Sequence, residues 1–360
     1  MISHLEKFQK KLKSKGDAAL ITSPQNQFYL SEFNFSDGYV LVFADAAYLL
    51  TDFRYEEAAR AQVVAGFEVL SPQTGAFSAI KELMKERDAI TLLVEEKALT
   101  LAEYKRLQDA LERCEVKGGA SEILGELRQY KDAMELAAMT AAQALTDEAF
   151  AHILDYITPA RTEREVALEL EFFMRKNGAE GIAFDTIAVS GTASALPHGV
   201  PRDCELEKGF LTMDFGARFG GYCADMTRTV VIGRADEEMK HLYETVLRAQ
   251  RAALALAAGG VACREMDKVA RDIIHGAGYE GRFGHSLGHG VGLDVHEAPS
   301  LSGRAAPESV LTAGQVVTVE PGIYITGKYG CRIEDMIAIN ADGSIHNFTH
   351  SPKELIELCR

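Results

Sequence analysis

The first third of the chain alternates between helical and strand periods. A charged amphipathic stretch predicts a helix over 3–15, and the apolar AALIT predicts a strand over 18–22. YVLVFA and AYLLTD flank a turn at Asp45 and read as two more strands. They are followed by a helix (55–64), the strand FEVL (67–70), a helix (76–86), the strand ITLLV (90–94) and a helix (100–113). Short apolar strands interleaved with helical periods predict an α/β domain with a mixed sheet. From Ser121 the pattern changes to EILGELRQYKDAMELAAMTAAQALTDEAF, a long charged and alanine-rich helical stretch. The domain boundary is placed near Leu127, giving domains of 1–126 and 127–360.

The second domain carries an internal near-repeat offset by one hundred residues. PARTEREVALELEFFMRKNGAEG (159–181) aligns with GGVACREMDKVARDIIHGAGYEG (259–281), sharing Arg164/Arg264, Glu165/Glu265, Gly178/Gly278, Glu180/Glu280 and Gly181/Gly281. In the first copy Thr162 and Glu165 form a capping box, and Val166, Leu170, Phe173 and Met174 make the apolar stripe of a helix ending at Gly178. A further helix precedes each copy, at 134–157 and 237–258. Downstream, each copy runs into an apolar strand ending in a carboxylate (Asp214, Glu320), then through a Gly-rich turn into a strand with a second carboxylate (Asp225, Glu334).

Composition narrows the function classes. The 360 residues are 47% hydrophobic and 25% charged, as in ordinary soluble globular proteins, which excludes collagen, coiled coil and wholesale disorder. Lys plus Arg number 38 against 53 Asp plus Glu, a net charge of −15, the wrong sign for gripping nucleic acid through its phosphates. The N-terminal MISHLEKFQKKLKSKG lacks the apolar run of a secretory signal, and LALAAGGVAC is too short and glycine-broken to span a bilayer. A cytoplasmic protein without a membrane partner is expected. Cys114, Cys204, Cys223, Cys263, Cys331 and Cys359 form no CxxC pair and read as reduced thiols, Cys223 and Cys331 as structural filler beside the carboxylate strands.

Acids within apolar strands call for a compensating positive charge. If Gly220–Gly221 form a type I′ turn, facing residues sum to 441, so Asp225 lies opposite Gly216 and diagonal to Asp214, with Gly216 leaving the space between the carboxylates empty. A loop centred on Gly327 puts Glu320 opposite Glu334. Four carboxylates on one face, with only Arg332 interleaved, repel one another without a cation; pairing with solvent, Arg228 or Arg332 is the alternative. The stretch GHSLGHGVGLDVHEAP adds His285, His289 and His296, and ALPHGVP adds His198. Oxygen-dominated ligation with one imidazole suits a hard divalent ion such as Mn²⁺, or Co²⁺ or Fe²⁺. HEAP lacks the second histidine of HExxH, and GHGVGLD lacks the GxGxxG spacing of a nucleotide fingerprint. In TDFRY, Asp52, Arg54 and Tyr55 are candidates for a substrate or subunit contact or for structural hydrogen bonds.

Asp214 and Asp225 eleven apart, GHGVG with His289, VEPG with Glu320 and RIED with Glu334 together resemble the five-ligand signature of the pita-bread metallopeptidases, over essentially residues 128–360. DAALITSPQNQFYL and YLLTDFRY resemble the creatinase-type N-terminal domain of the proline-directed branch, which methionine aminopeptidases lack. The resemblance implies an α/β creatinase-like domain followed by an α+β pita-bread catalytic domain with internal pseudo-twofold symmetry. It further implies two divalent metal ions, Mn²⁺ first and Co²⁺, Fe²⁺ or Zn²⁺ as alternatives. Asp214 would chelate the first, Asp225 and Glu334 bridge both, and His289 and Glu320 hold the second, with a bridging hydroxide as nucleophile. Glu320 would move the proton, and His198 and His296 would hydrogen-bond the scissile carbonyl and the neighbouring residue. His285, Tyr324 and Arg332 would shape the substrate pocket.

The implied activity is hydrolysis of the N-terminal Xaa-Pro bond of a peptide with proline second, by an Xaa-Pro aminopeptidase. A prolidase acting on Xaa-Pro dipeptides, or a broader-specificity aminopeptidase, is the alternative. The length preference depends on whether the N-terminal domain or a loop blocks the far end of the substrate. A non-catalytic or creatinase-like relative is the remote alternative, disfavoured because all five ligand positions are present. A homodimer is expected from the same resemblance.

Overall fold

The computed structural model describes residues 2–359, and the chain divides into two compact units between Arg128 and Gln129. The first is a six-stranded sheet in the order Phe67–Leu70, Ala47–Thr51, Gly38–Phe43, Ala18–Ile21, Thr91–Val94 and Glu115–Gly118. Ala18–Ile21 pairs antiparallel on one side and parallel on the other, so the sheet is mixed, as its sequence pattern indicates. All four residues of that central strand are buried, which is why it reads as a continuous apolar run.

Two elements of this unit escape the periodicity. The helix Pro24–Ser31 has no apolar stripe because its polar residues are spent on tertiary hydrogen bonds: Gln27 donates to the carbonyls of Ile21 and Gly38, and Asn26 to the buried Glu95 carboxylate. The strand Glu115–Gly118 buries only Val116. The long helical stretch after Ser121 is also two helices, Ala120–Arg128 and Ala133–Tyr156, not one. Asp132 explains the break, because its carboxylate caps the N–H groups of Met134 and Glu135 while Glu135 reaches back to its backbone N–H.

The second unit is built twice from one plan. Helices Ala133–Tyr156 and Glu163–Lys176 precede the first carboxylate hairpin; Glu237–Leu256 and Cys263–Gly276 precede the second, one hundred residues on. Thr162 and Glu165 form the capping box, whereas Ala262 at the matching position offers no side-chain cap. Each helix pair covers its own hairpin. Leu170 and Met174 pack with Leu211, Met213 and Val230, and Met266 and Ile274 pack with Val317, Val319 and Ile337. Side chains of this size contribute roughly 1.5–3 kcal/mol each when fully buried. Among the described residues no helix is long and apolar enough to cross a membrane.

Both hairpins break beside their carboxylates: Asp225, Glu320 and Glu334 lie at the breaks, while Asp214 stays in the ladder opposite Thr227. In the first, Gly209–Phe215 pairs with Met226–Ile232, and beyond the break Ala217–Phe219 pairs with Tyr222–Cys223. Gly220 and Gly221 have φ of +57° and +81°, as the tight turn requires, so the register sum of 441 holds on both sides of the break. In the second, Val316–Val319 pairs with Asp335–Ile339, and Gly322–Ile325 with Tyr329–Arg332, again in one register. Glu320 and Glu334 therefore occupy the break opposite one another.

The expected reason for Gly216 needs correcting. A Cβ there would lie 1.8 Å from the Ala224 carbonyl oxygen, so the neighbouring strand fills the space that the sequence reading left open for the carboxylates. Gly216→Ala should therefore destabilise the protein by about 1–3 kcal/mol or more through backbone displacement. Gly276→Ala, where a Cβ meets nothing within 4 Å, should be neutral or gain up to about 1 kcal/mol. Urea unfolding of the two variants checks the contrast, and equal stabilities would refute it.

Candidate metal centre

The two hairpins bring Asp214, Asp225, Glu320 and Glu334 to the wall of one cavity of about 530 Å³, which His289 also lines. His289 lies on the short strand Gly288–Gly290, where a Cβ on Gly288 or Gly290 would fall 2.0 Å from the Thr318 carbonyl oxygen or 2.2 Å from that of Ala298. The flanking glycines thus let adjacent strands close tightly around the histidine. Its Nδ1–H donates to the Gly290 carbonyl at 3.1 Å, leaving Nε2 3.3 Å from Glu320 Oε1 and 3.6 Å from Asp225 Oδ2. One ligand atom each from Asp225, His289 and Glu334 lies within 4.8 Å of the others.

Burial and mutual repulsion set the charge state of this group. Burial, and then the neighbouring Glu334, Asp214 and Glu320, push Asp225 well above the usual carboxylate range. Burial, Glu320 and Asp214 do the same to Glu334. Burial also raises Glu320, but the His289 hydrogen bond and the nearby His285 outweigh it and hold the acid low. His289 is raised because Glu320 more than offsets its burial. Asp214 receives Arg332 Nη2 on Oδ2 at 2.6 Å, while its buried Oδ1 has no partner among the described residues. An orphaned carboxylate oxygen, two acids pushed toward the neutral form by burial and repulsion, and an imidazole nitrogen turned toward two carboxylates share one remedy, a bound cation. The donor set, four carboxylates and one imidazole, fits a hard divalent ion.

Arg332 organises the remaining wall. It is buried, and its Nη1 donates to the Tyr324 hydroxyl at 2.7 Å. That hydroxyl in turn donates to His285 Nε2 at 2.9 Å, with His285 Nδ1–H on the Ser286 carbonyl at 2.9 Å. His285, Tyr324 and Arg332 are thus one hydrogen-bonded chain. His296 lies beside His289, with ring centroids 4.2 Å apart and the rings tilted by 56°, and His198 lines the cavity from the loop after Ala195. That loop is clamped by Arg202, whose guanidinium and backbone N–H bind the fully buried Glu163.

Arg228 does not serve the four acids; it pairs with Asp335 at 2.9 Å. Asp52 caps the helix Phe53–Gln62 and pairs with Arg54, and the Tyr55 hydroxyl bonds Ser36, so these three make structural hydrogen bonds. Burial pushes the Cys223 and Cys331 thiols up to about 12, which leaves them inert filler. Sequence reasoning passed over Thr227, whose hydroxyl donates to Glu334 Oε2 at 2.6 Å. Its position two residues after Asp225 was the available signal. It also passed over Phe184, Ile187 and Val200, apolar lining of the cavity that nothing in their sequence context marks.

A duplicated α+β fold whose paired hairpins converge four carboxylates and a histidine on one cavity defines a metallohydrolase. Residues 137–341 match the metallopeptidase family M24, and residues 4–130 match the creatinase/prolidase N-terminal domain. The chain belongs to metallopeptidase family M24, which implies divalent metal ions and a peptide substrate. It is 41% identical over 343 residues to the uncharacterized peptidase YqhT of Bacillus subtilis, covering 95% of this chain and 96% of that one. It is also similar to the solved structure of an Xaa-Pro dipeptidase from Bacillus anthracis, with a TM-score of 0.93, 40% identity and 99% of each chain covered. An X-Pro aminopeptidase from Thermotoga maritima matches with a TM-score of 0.90 and 37% identity, over 97% of this chain and 99% of that one.

The raised acids give a pH test. A carboxylate whose folded pKa lies above its unfolded value contributes stability that is full below the unfolded value and lost as pH rises through the folded one. For Asp225 and Glu334 the ordinary values are 3.8 and 4.5, so metal-free protein should lose stability from about pH 4 toward neutral pH. Each unit of displacement is worth about 1.4 kcal/mol. Asp225→Asn should flatten this decline in EDTA and lose the rise in melting temperature that Mn²⁺ gives the wild type. Thermal unfolding from pH 4 to 8 measures both, and an unaltered decline in the variant would refute the account.

Proposed function

We propose that this chain hydrolyses the bond between an N-terminal residue and a following proline, using two divalent ions, Mn²⁺ first. The observation that carries this reading is the buried four-carboxylate, one-histidine set on a cavity that also presents His198 and His296. Similarity to an Xaa-Pro dipeptidase from Bacillus anthracis and an X-Pro aminopeptidase from Thermotoga maritima supports the proline preference. Asp214, Asp225, His289, Glu320 and Glu334 are the residues that would hold the ions, Asp214 serving one, His289 and Glu320 the other, and Asp225 and Glu334 shared between them. When bound, the ions act as Lewis acids on the scissile carbonyl and supply an acidified water.

This chain's own groups do the rest. Glu320, kept low by His289, is the carboxylate suited to accept a proton and return it to the leaving nitrogen. His198 and His296 hydrogen-bond the scissile carbonyl and the adjacent residue. Burial, and then His289, lower His296, so it offers a neutral imidazole. His285 and Arg332 form the polar wall, held by the Tyr324 hydroxyl between them, which does not itself line the cavity, and Phe184, Ile187 and Val200 form the apolar one. An Xaa-Pro bond is a tertiary amide without N–H, so a site that recognises substrate by shape and carbonyl contacts accepts it where one needing that N–H does not.

The two relatives differ in class, an Xaa-Pro dipeptidase in Bacillus anthracis and an X-Pro aminopeptidase in Thermotoga maritima, so both a dipeptidase and an aminopeptidase reading are supported. A cytoplasmic homodimer completes the proposal. Cleavage of Ala-Pro and Ala-Pro-Ala by Mn²⁺-loaded enzyme, each repeated with EDTA, tests it. EDTA-sensitive release of alanine from the tripeptide is the aminopeptidase result. Activity confined to Ala-Pro makes the enzyme a dipeptidase, and cleavage of neither overturns the proline reading.

A further inference from the structure

Thr227 stands between the two half-repeats. It is fully buried on the strand Met226–Ile232 of the first half, opposite Asp214 in the ladder. Its hydroxyl donates to Glu334 Oε2 at 2.6 Å and accepts from Arg332 Nε at 2.9 Å, both on the second half. Its backbone carbonyl also receives the N–H of Glu334 at 3.1 Å. We infer that Thr227 is a positioning residue of the metal centre, setting the orientation of Glu334 and Arg332 together through one hydroxyl. The inference rests on the proposed metal centre.

The chemistry of the three groups leaves one polarity for the chain. A guanidinium Nε–H only donates, so the Thr227 oxygen must accept there, and its single proton is committed to Glu334. Glu334 Oε2 is therefore held as an acceptor, which leaves its other oxygen for a cation. A guanidinium is also a rigid plane, so fixing Nε fixes the other two nitrogens. That is what sets Nη2 on Asp214 Oδ2 at 2.6 Å and Nη1 on Tyr324 at 2.7 Å. With Arg332 on Asp214 Oδ2, the orphaned Oδ1 is left for the ion. One hydroxyl thus divides both carboxylates into a protein-bound oxygen and a free one. Thr229, two residues on, supports the same strand differently: it bonds only the backbone N–H and carbonyl of Arg332 there.

The experiment is a calorimetric titration of EDTA-stripped protein with Mn²⁺ alone, for wild type, Thr227→Val and Thr227→Ser. Valine keeps the shape and loses the hydroxyl; serine keeps the hydroxyl. Partners one shell out from a metal ligand typically account for about 10–100-fold in affinity. Thr227→Val should weaken the tighter Mn²⁺ dissociation constant by about that factor, and Thr227→Ser should restore it to within about threefold. Melting temperatures in EDTA separate this from a packing role, which would lower stability in Thr227→Val while leaving Mn²⁺ affinity as in the wild type. Wild-type affinity in Thr227→Val, or failure of Thr227→Ser to restore it, overturns the inference. No Mn²⁺ uptake by the wild type overturns the metal centre and this inference with it.

Discussion

Four carboxylates converge on one largely buried space with a single arginine among them, and the rest of the second unit is arranged around that excess of negative charge. Arg332 neutralises Asp214 at 2.6 Å and leaves Asp225, Glu320 and Glu334 to face each other and His289. Isolated buried ions are among the most unfavourable things a protein can hold, and such groups neutralise or acquire a partner. Asp225 and Glu334 are pushed toward the neutral form, and a divalent cation is the partner that lets all four ionise. The metal is thus part of the electrostatic completion of the fold.

The duplication explains how so unfavourable a cluster is assembled. Each half supplies a helix pair, a covered hairpin and a break in that hairpin beside its acids, and the two apolar cores interlock where Phe210 and Val231 of the first hairpin join the core of the second half. The halves are not equivalent in detail. Asp214 lies opposite Thr227 in the first hairpin, which places Asp225 on the diagonal, whereas Glu320 and Glu334 face each other directly in the second. Aspartate in one half and the longer glutamate in the other let carboxylates from unequal registers reach the same space. Glycine then sets how closely the strands approach: Gly216 beneath the Ala224 carbonyl, and Gly288 and Gly290 on either side of His289.

Much of this was legible in the sequence because it is local. The register of both hairpins follows from the turn glycines Gly220, Gly221 and Gly327, and the helix start at Thr162 is written in its capping box. The five charged and imidazole groups of the centre announce themselves as polar residues in apolar or glycine-rich contexts. What was not legible is held by distant partners. The helix Pro24–Ser31 depends on Glu95, nearly seventy residues away; the break at Asp132 is local, but its capping box lies within an otherwise continuous helical pattern that hides it. Thr227 looks like any β-strand threonine until the second half arrives against it, and Gly216 was expected to make room and in fact accommodates a backbone oxygen.

The strand pleat also explains why Asp335, adjacent to Glu334, does not join the cluster. Successive strand residues point to opposite faces. Thr227 and Glu334 therefore meet on the cavity side, and Arg228 and Asp335 meet behind them, so two crossing pairs arise from two dipeptides. Behind the sheet the acid is satisfied: Asp335 receives Arg228 and Asn347 at 2.9 Å each, together with Lys353, and burial, which raises it, is outweighed by Arg228 and Lys353. Arg228 further donates to the carbonyls of Glu334, Ser351 and Pro352, tying the ligand strand to the segment that follows it. Cations exceed acids on that face and acids exceed cations on the other. The alternation of side chains at these two dipeptides thus separates a closed ion network behind Glu334 from an open one that a bound cation completes.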